Sequence, residues 1–411
     1  MNDDPFKHFK TRDDYTHWDN YIEQVRLCAN LTAEEIIKAE SALLTLKDHL
    51  GDDAWLSEAL KNRHPIIVGY LMNNAPWTRK VLIRVADAIK TFSQKKDSNY
   101  SSVSDRLRQS EKFTEAHSVL ETGYKFLQHG FEVTFDPSIT INRKDGSHNE
   151  KVPDLKITNT DTEEEIFVEV SALGFSNKLR QTSNAERVIF FQLLDAMGFA
   201  ADVIMRARTF KAPDEAVLKT ILQEIKHLAS KARASGAFEA WTSEGVIELA
   251  AAPADQAEAV HQWAAEREIG QGEIIRGAPI DLNDPKRLIL DKIGKEVRQL
   301  PKDRPGMIVV DTTRNLLFYT YPMAMIGAPL SRQLQRYSQL ACAAVTYCHF
   351  VDSEEAPVEH VSTSDYSIRE RVIGYPLRET TLLAHNNLCQ QPLTEATFDR
   401  VCQSFAGPSK L

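Results

Sequence analysis

The sequence predicts an α/β fold of the mixed α+β kind, and three observations predict it. Residues 1–100 carry apolar side chains at helical spacing. Residues 130–172 alternate apolar and polar side chains with period 2. Strand-like and helix-like stretches then alternate to the C-terminus. The chain has 411 residues, enough for two or three domains, and its 42% hydrophobic and 26% charged residues make an ordinary globular composition.

The first hundred residues read as a helical domain. In YIEQVRLCANLTAEEIIKAESALLTLKDHL the apolar residues recur at helical spacing, and Thr32 with Glu35 has the form of a capping box. AWLSEALKN, IIVGYLMNN and PWTRKVLIRVADAIKTF continue the pattern, with Pro76 suited to a first helical turn. Trp55, Trp77 and Phe92 read as core anchors. The polar, Ser-rich stretch 93–105 reads as a linker, which places a boundary near residue 100.

A helix over 106–129 follows, then three strands. Phe131, Val133 and Phe135 alternate with Glu132 and Thr134, as in a half-buried strand. In Pro153-Asp154-Leu155-Lys156-Ile157, Leu155 and Ile157 face one way while Asp154 and Lys156 face the other. Asp161-Thr162 supplies a polar turn. Ile166 to Val170 is then an apolar, β-branched run with one carboxylate inside it, Glu169. A glutamate in such a strand is costly unless it is paired, hydrogen-bonded or bound to a cation. Asp154 and Glu169 lie on strands joined by a short turn, so they can stand side by side. Two carboxylates with room for water suit Mg²⁺, which prefers oxygen ligands and keeps several waters. A turn role for Asp154 and a plain ion pair for Glu169 are the competing readings.

The order helix, GFEVTF, PD, then a strand carrying E-x-x resembles the core of the PD-(D/E)xK nuclease superfamily, the restriction-endonuclease-like fold, from Glu111 to Arg180. The resemblance implies a Mg²⁺- (or Mn²⁺-) dependent nuclease that hydrolyses phosphodiester bonds in DNA. It implies that Asp154, Glu169 and the backbone at Val170 hold the metal, with Val170 and Ser171 near the phosphate and Glu121 or Glu115 as the acid from the helix. The motif lysine falls at Ser171, which carries no charge, so Lys156, Lys178 or Lys295 would have to replace it. Cutting both strands usually takes two sites, which implies a homo-oligomer such as a dimer, or a subunit of a larger complex. Large helical additions around a small nuclease core resemble restriction or phage-defence nucleases. Two alternatives stand beside this reading. One is a catalytically inactive member of the same fold that binds nucleic acid or assembles a complex. The other is a helical interaction scaffold with an unrelated α/β domain.

Further along, Asn184 reads as the cap of a helix through AERVIFFQLLDAMG. DVIMRARTF reads as a strand, Asp214 to Arg233 as a helix, FEAWTSEGVIELAAAP as a hairpin and ADQAEAVHQWAAERE as another helix. In DPKRLILDKIGKEVRQLPKDRPGMIVVD a helix ends near Leu300 and a buried strand runs from Met307 to Val310. Lys295 and Gln299 are four apart on that helix and share a face. From Pro329 a helix runs into a strand, EHVSTSDYSIRERVIGYP reads as an edge hairpin, and Thr394 caps a last helix that stops at Gly407-Pro408. The expected domains are therefore 1–100, 101–351 and 352–411, the middle one being the nuclease-like core with insertions.

Composition narrows the function classes. The net charge is −9, where a non-specific nucleic-acid binder would usually be basic, although a local excess of Lys and Arg between Lys178 and Lys211 follows the carboxylates. The five cysteines are scattered and form no C-x-x-C pair, which argues against a disulfide framework or zinc site and fits a reducing cytoplasm. No apolar run approaches the length of a membrane span, and the polar N-terminus has no secretory h-region. No phosphate-binding G-x-x-x-x-G-K-[ST], no G-x-S-x-G and no H-E-x-x-H is present.

Overall fold

The computed structural model describes residues 8–11, 13–28, 31–62, 66–73, 75–142, 148–173, 177–198, 202–270, 272–278, 284–313, 323–354 and 360–406. The fold is mixed α+β, and its contacts divide the chain into two compact units, Met1–Gly174 with Pro285–Leu411, and Phe175–Asp284. Among the described residues no helix is long and apolar enough to cross a membrane.

Helices come first: α1 (Trp18–Arg26), α2 (Ala33–Leu50), α3 (Asp53–Asn62), α4 (Ile66–Met72), α5 (Pro76–Ser93), α6 (Ser101–Leu107) and α7 (Phe113–Leu127). Thr32 and Glu35 close the expected capping box on α2, each satisfying an otherwise orphaned backbone N–H, and Pro76 opens α5. The stretch 93–105 is not a linker. It carries a short 3-10 turn (Lys96–Ser98) and α6, and Tyr100, Val103 and Leu107 anchor it in the core. Its polar composition hid two apolar anchors, Tyr100 and Val103, with Leu107 just beyond it.

The strands β1 (Phe131–Phe135), β2 (Ile139–Asn142), β3 (His148–Lys151), β4 (Leu155–Asn159) and β5 (Glu165–Ala172) follow. The second unit then begins with α8 (Asn177–Met197), which starts seven residues before the expected cap at Asn184. It continues with β6 (Val203–Thr209), α9 (Glu215–Ser235), β7 (Glu239–Ser243), β8 (Ile247–Pro253), α10 (Ala257–Ala265) and β9 (Ile275–Arg276). Its own sheet runs β7-β8-β6-β9. Val203, Met205 and Ala207 of β6 pack with Ile221, Ile225 and Leu228 of α9.

The chain returns to the first unit through α11 (Asp284–Glu296) and β10 (Gly306–Asp311). It ends with α12 (Ala324–Leu334), β11 (Leu340–Phe350), β12 (His360–Ser362), β13 (Tyr366–Gly374), β14 (Leu377–His385) and α13 (Glu395–Ser404). Pro329, expected to start a helix, lies inside α12. Thr394 caps α13 as expected, and Gly407-Pro408 lies outside the described residues. The eight strands of the main sheet run β1-β4-β5-β10-β11-β14-β13-β12, so β12 to β14 extend the same sheet rather than form a separate tail. β1, β4 and β5 are antiparallel neighbours, while β5, β10 and β11 are parallel.

One hydrophobic core joins the first helices to this sheet, so the segments on either side of residue 100 are not separate domains. Trp18, Leu43, Phe92, Leu120, Phe131, Val168 and Val309 all belong to it. Each such side chain contributes about 1.5–3 kcal/mol when fully buried. Helix α7 lies close against β1: a Cβ on Gly123 would meet the Phe135 ring at 3.2 Å. Strand alternation then fixes the faces. Val168 and Val170 of β5 with Met307 and Val309 of β10 join the α7 side. Glu169 and Ser171 therefore project to the opposite side, where the Ser171 hydroxyl donates to Glu296 of α11 at 3.1 Å.

Candidate functional site

The ladders bring three carboxylates into line. Phe135 pairs with Leu155, and Leu155 with Val168, so one step further Asp136 stands opposite Asp154 and Asp154 opposite Glu169. The Asp136 N–H donates to the Asp154 carbonyl at 2.9 Å, which extends the β1–β4 ladder although Asp136 itself has a left-handed φ of 44°. Asp154 is fixed by the strand it faces: the Val170 N–H donates to its Oδ2 at 2.9 Å. Val170, expected as a backbone ligand, thus holds the Asp154 carboxylate.

Glu169 is 4% exposed, and its Oε1 is buried without a hydrogen-bond partner. Burial, the charge of Asp154 and a hydrogen bond with it, and the charge of Glu296 push the Glu169 carboxyl up to about 10, against the pull of Lys151. Burial also raises Asp154, opposed by the Val170 N–H and by Arg106. Two such close, buried carboxyls resist ionising together, so the pair favours holding a proton. Glu296 differs. Burial raises it too, but its ion pair with Lys292 at 2.8 Å and hydrogen bonds from Gln299 and Ser171 outweigh that and keep it ionised.

Charge nearly closes around this pair. Asp136, Asp154, Glu169 and Glu296 face Arg106, Lys151 and Lys292, so a proton held by the pair supplies the fourth positive charge. Arg106 donates from Nη2 to both Asp136 oxygens at 3.0 and 3.1 Å, and its Nη1 lies 3.7 Å from Asp154 Oδ1. The Lys151 Nζ donates to the carbonyls of Arg298 and Leu300. A carboxyl whose proton alone balances the site, with one oxygen orphaned, is fitted to exchange that proton for a cation. Among the described residues no three His, Cys, Asp or Glu side chains are arranged to hold a metal ion together.

The other expected residues lie elsewhere. Glu121 is on α7, on the far side of the sheet. There Arg84 (2.7 Å) and Arg371 (3.1 Å) hold it, and it lines a cavity of about 60 Å³ with Lys125 and Asp311. Glu115 and Lys295 are exposed. Lys156 donates to Glu165 at 3.1 Å, and Arg304 reaches the same carboxylate at 2.8 Å. The Lys178 side chain lies outside the described residues. Sequence reading passed over Arg106, Asp136, Lys151 and Glu296. The signal for Glu296 was the helical stripe Lys292, Glu296, Gln299, which competes with Lys295 and Gln299; α11 stops at Glu296, so the four-residue spacing to Gln299 no longer sets a shared face. No protein-family model, no curated protein and no solved structure matches the chain.

Proposed function

We propose that the chain is a Mg²⁺- (or Mn²⁺-) dependent nuclease that hydrolyses phosphodiester bonds in DNA, with a restriction-endonuclease-like core formed by α7, β1, β4, β5, α11 and β10. The observation that carries this reading is the Asp154–Glu169 pair: carboxyls side by side on adjacent strands, with Glu169 Oε1 buried and without a hydrogen-bond partner. Asp154 and Glu169 would hold the ion, with water completing its shell, as suits a cation that keeps several waters. When bound, the ion supplies a water of lowered pKa and neutralises charge on the phosphate. The Val170 N–H fixes the Asp154 carboxylate in place, and ionised Glu296 would add negative charge that favours a cation over the proton. Helix α7 followed by the antiparallel neighbours β1, β4 and β5, with the β2–β3 pair between β1 and β4, supports the resemblance drawn from Glu111 to Arg180. A restriction or phage-defence setting and a dimeric assembly belong to the same proposal.

A second reading has its own support. Ser171 stands where the motif lysine would be, and its hydroxyl is closed onto Glu296, while Lys156 and Lys292 are each paired with a glutamate. This favours an inactive member of the fold that binds nucleic acid. Incubation of purified protein with plasmid DNA in Mg²⁺, Mn²⁺ or EDTA separates the two. Expected is metal-dependent cutting that Asp154→Ala and Glu169→Ala each abolish. Cutting that survives both substitutions sinks the assignment of the site, and salt-sensitive DNA binding without cutting supports the second reading.

A further inference from the structure

We propose that Arg106 is the cation that meets the scissile phosphate, in the place a lysine at Ser171 would otherwise take. The inference rests on the nuclease reading of the Asp154–Glu169 pair. It begins with access. Glu169, Ser171 and Glu296 are all under 9% exposed, whereas the side chains of Asp154, Asp136 and Arg106 are 19%, 21% and 28% exposed. Arg106 therefore stands at a partly open edge of the carboxylate pair, as Lys292, 30% exposed, does at the Glu296 edge.

The lysines around the pair have other work. Lys151 gives its Nζ to two backbone carbonyls, Lys156 to Glu165, and Lys292 to Glu296. Lys295 is exposed. Arg106 is placed differently. Asp136 clamps one edge of its guanidinium with two hydrogen bonds from Nη2, while Nη1 stands 3.7 Å from Asp154, too far for a hydrogen bond, and Nε is buried without a partner. The planar fork is thus fixed beside a metal-binding carboxylate with donor capacity left over. The Nη1 hydrogens are the ones left to meet a phosphate oxygen, and a pre-aligned cation beside the reacting phosphorus stabilises the charge that builds there. Asp136 serves as the positioning residue for that cation.

The test compares wild type, Arg106→Gln and Arg106→Lys in two measurements on the full chain. One is plasmid cleavage in Mg²⁺. The other is binding of a short DNA duplex across a salt series, with Ca²⁺ in place of Mg²⁺. Expected for Arg106→Gln is a loss of about 100-fold in kcat with a smaller change in KM. Its slope of log Kd against log salt should also fall by about 0.9, the value of one phosphate contact. Arg106→Lys should keep the slope and recover part of the rate. An Arg106→Gln protein with wild-type kcat and an unchanged slope overturns the proposal and leaves the nuclease reading standing. A reduced slope in a protein whose wild type never cuts keeps the phosphate contact and overturns the nuclease reading. A wild type that neither binds nor cuts overturns both. If Arg106→Gln fails to fold, Arg106→Lys decides: a lost salt slope there overturns the proposal, and a kept slope with a reduced rate supports it.

Discussion

Two buried carboxylate clusters occupy opposite faces of the main sheet, and they respond to burial in opposite ways. On the α7 face, Glu121 and Glu379 sit among Arg84, Lys125 and Arg371, with Lys125 at 2.9 Å and Arg371 at 3.0 Å from Glu379. Burial raises both carboxyls there, yet the cations outweigh it and hold them below the usual carboxylate range. On the α11 face, Glu169 suffers the same burial with like-charged Asp154 beside it, and it is pushed up to about 10. The difference is the local count of cations. Three cations around two carboxylates make a closed structural network. Four carboxyls around three cations leave one negative charge unmatched, and the Glu169 carboxyl rises accordingly.

The comparison breaks first on the α7 face, where the largest effect is expected. Arg371→Met leaves Glu379 and Glu121 short of a buried partner and should cost about 3–5 kcal/mol, read as a lower urea midpoint or thermal midpoint. Glu121→Gln should also destabilise the fold, and neither change should alter the response to Mg²⁺. That last point is sharp because the resemblance placed Glu121 among the site acids. A Glu121→Gln protein that folds as wild type but no longer responds to Mg²⁺ returns Glu121 to the metal site and removes the contrast between the faces.

A medium effect is expected on the α11 face as pH changes. Between the ordinary glutamate value and about 10, the folded chain holds a proton on Glu169 that the unfolded chain has released. Stability of the metal-free protein therefore falls as pH rises through that window, by at most about 1.4 kcal/mol per pH unit from this group. Glu169→Gln removes the slope. Saturating Mg²⁺ flattens it too, because the ion binds the deprotonated pair and its affinity grows with pH as the metal-free stability falls. Calorimetric titration at neutral pH in buffers of different ionisation enthalpy should show about one proton released per Mg²⁺. Mg²⁺ binding with no proton release places the ion away from this pair.

Much of the site was legible because strand alternation is a strict period. Leu155 and Ile157 against Asp154 and Lys156, and the lone Glu169 in an apolar run, let two carboxylates stand side by side on neighbouring strands. The capping box at Thr32, Pro76 at a helix start and Thr394 at a cap were readable for a similar reason, since each is a local rule with a local partner. What failed was set by tertiary contact. Arg106 and Asp136 lie in stretches with weak periodicity and meet only because the end of β1 turns back on α6. The supposed linker 93–105 became ordered because Tyr100 and Val103 found the core. Glu121 and Glu115 were reasonable acids on a helix, but only the packing of α7 decides which face of the sheet they address. Charge count misled in the same way, since a net charge of −9 says nothing about the cations gathered around Glu121 and Glu379.

The smallest expected effect concerns Ser171, and it tests whether the departure from the motif is chemical or structural. The Ser171 hydroxyl makes one hydrogen bond to Glu296, which Lys292 and Gln299 also hold. Ser171→Ala removes one of three stabilising partners from a carboxylate that stays ionised through the other two. The cost should be about 1–3 kcal/mol at most, that of a hydrogen bond to a charged group. Cleavage and Mg²⁺ affinity should change by less than about tenfold, since neither the Asp154–Glu169 pair nor Arg106 depends on that hydroxyl. A Ser171→Ala protein of wild-type stability that loses cutting altogether gives the hydroxyl a direct role at the phosphate. The α11 face would then hold its charge deficit for a different chemistry, one in which the serine and not a relocated cation faces the substrate.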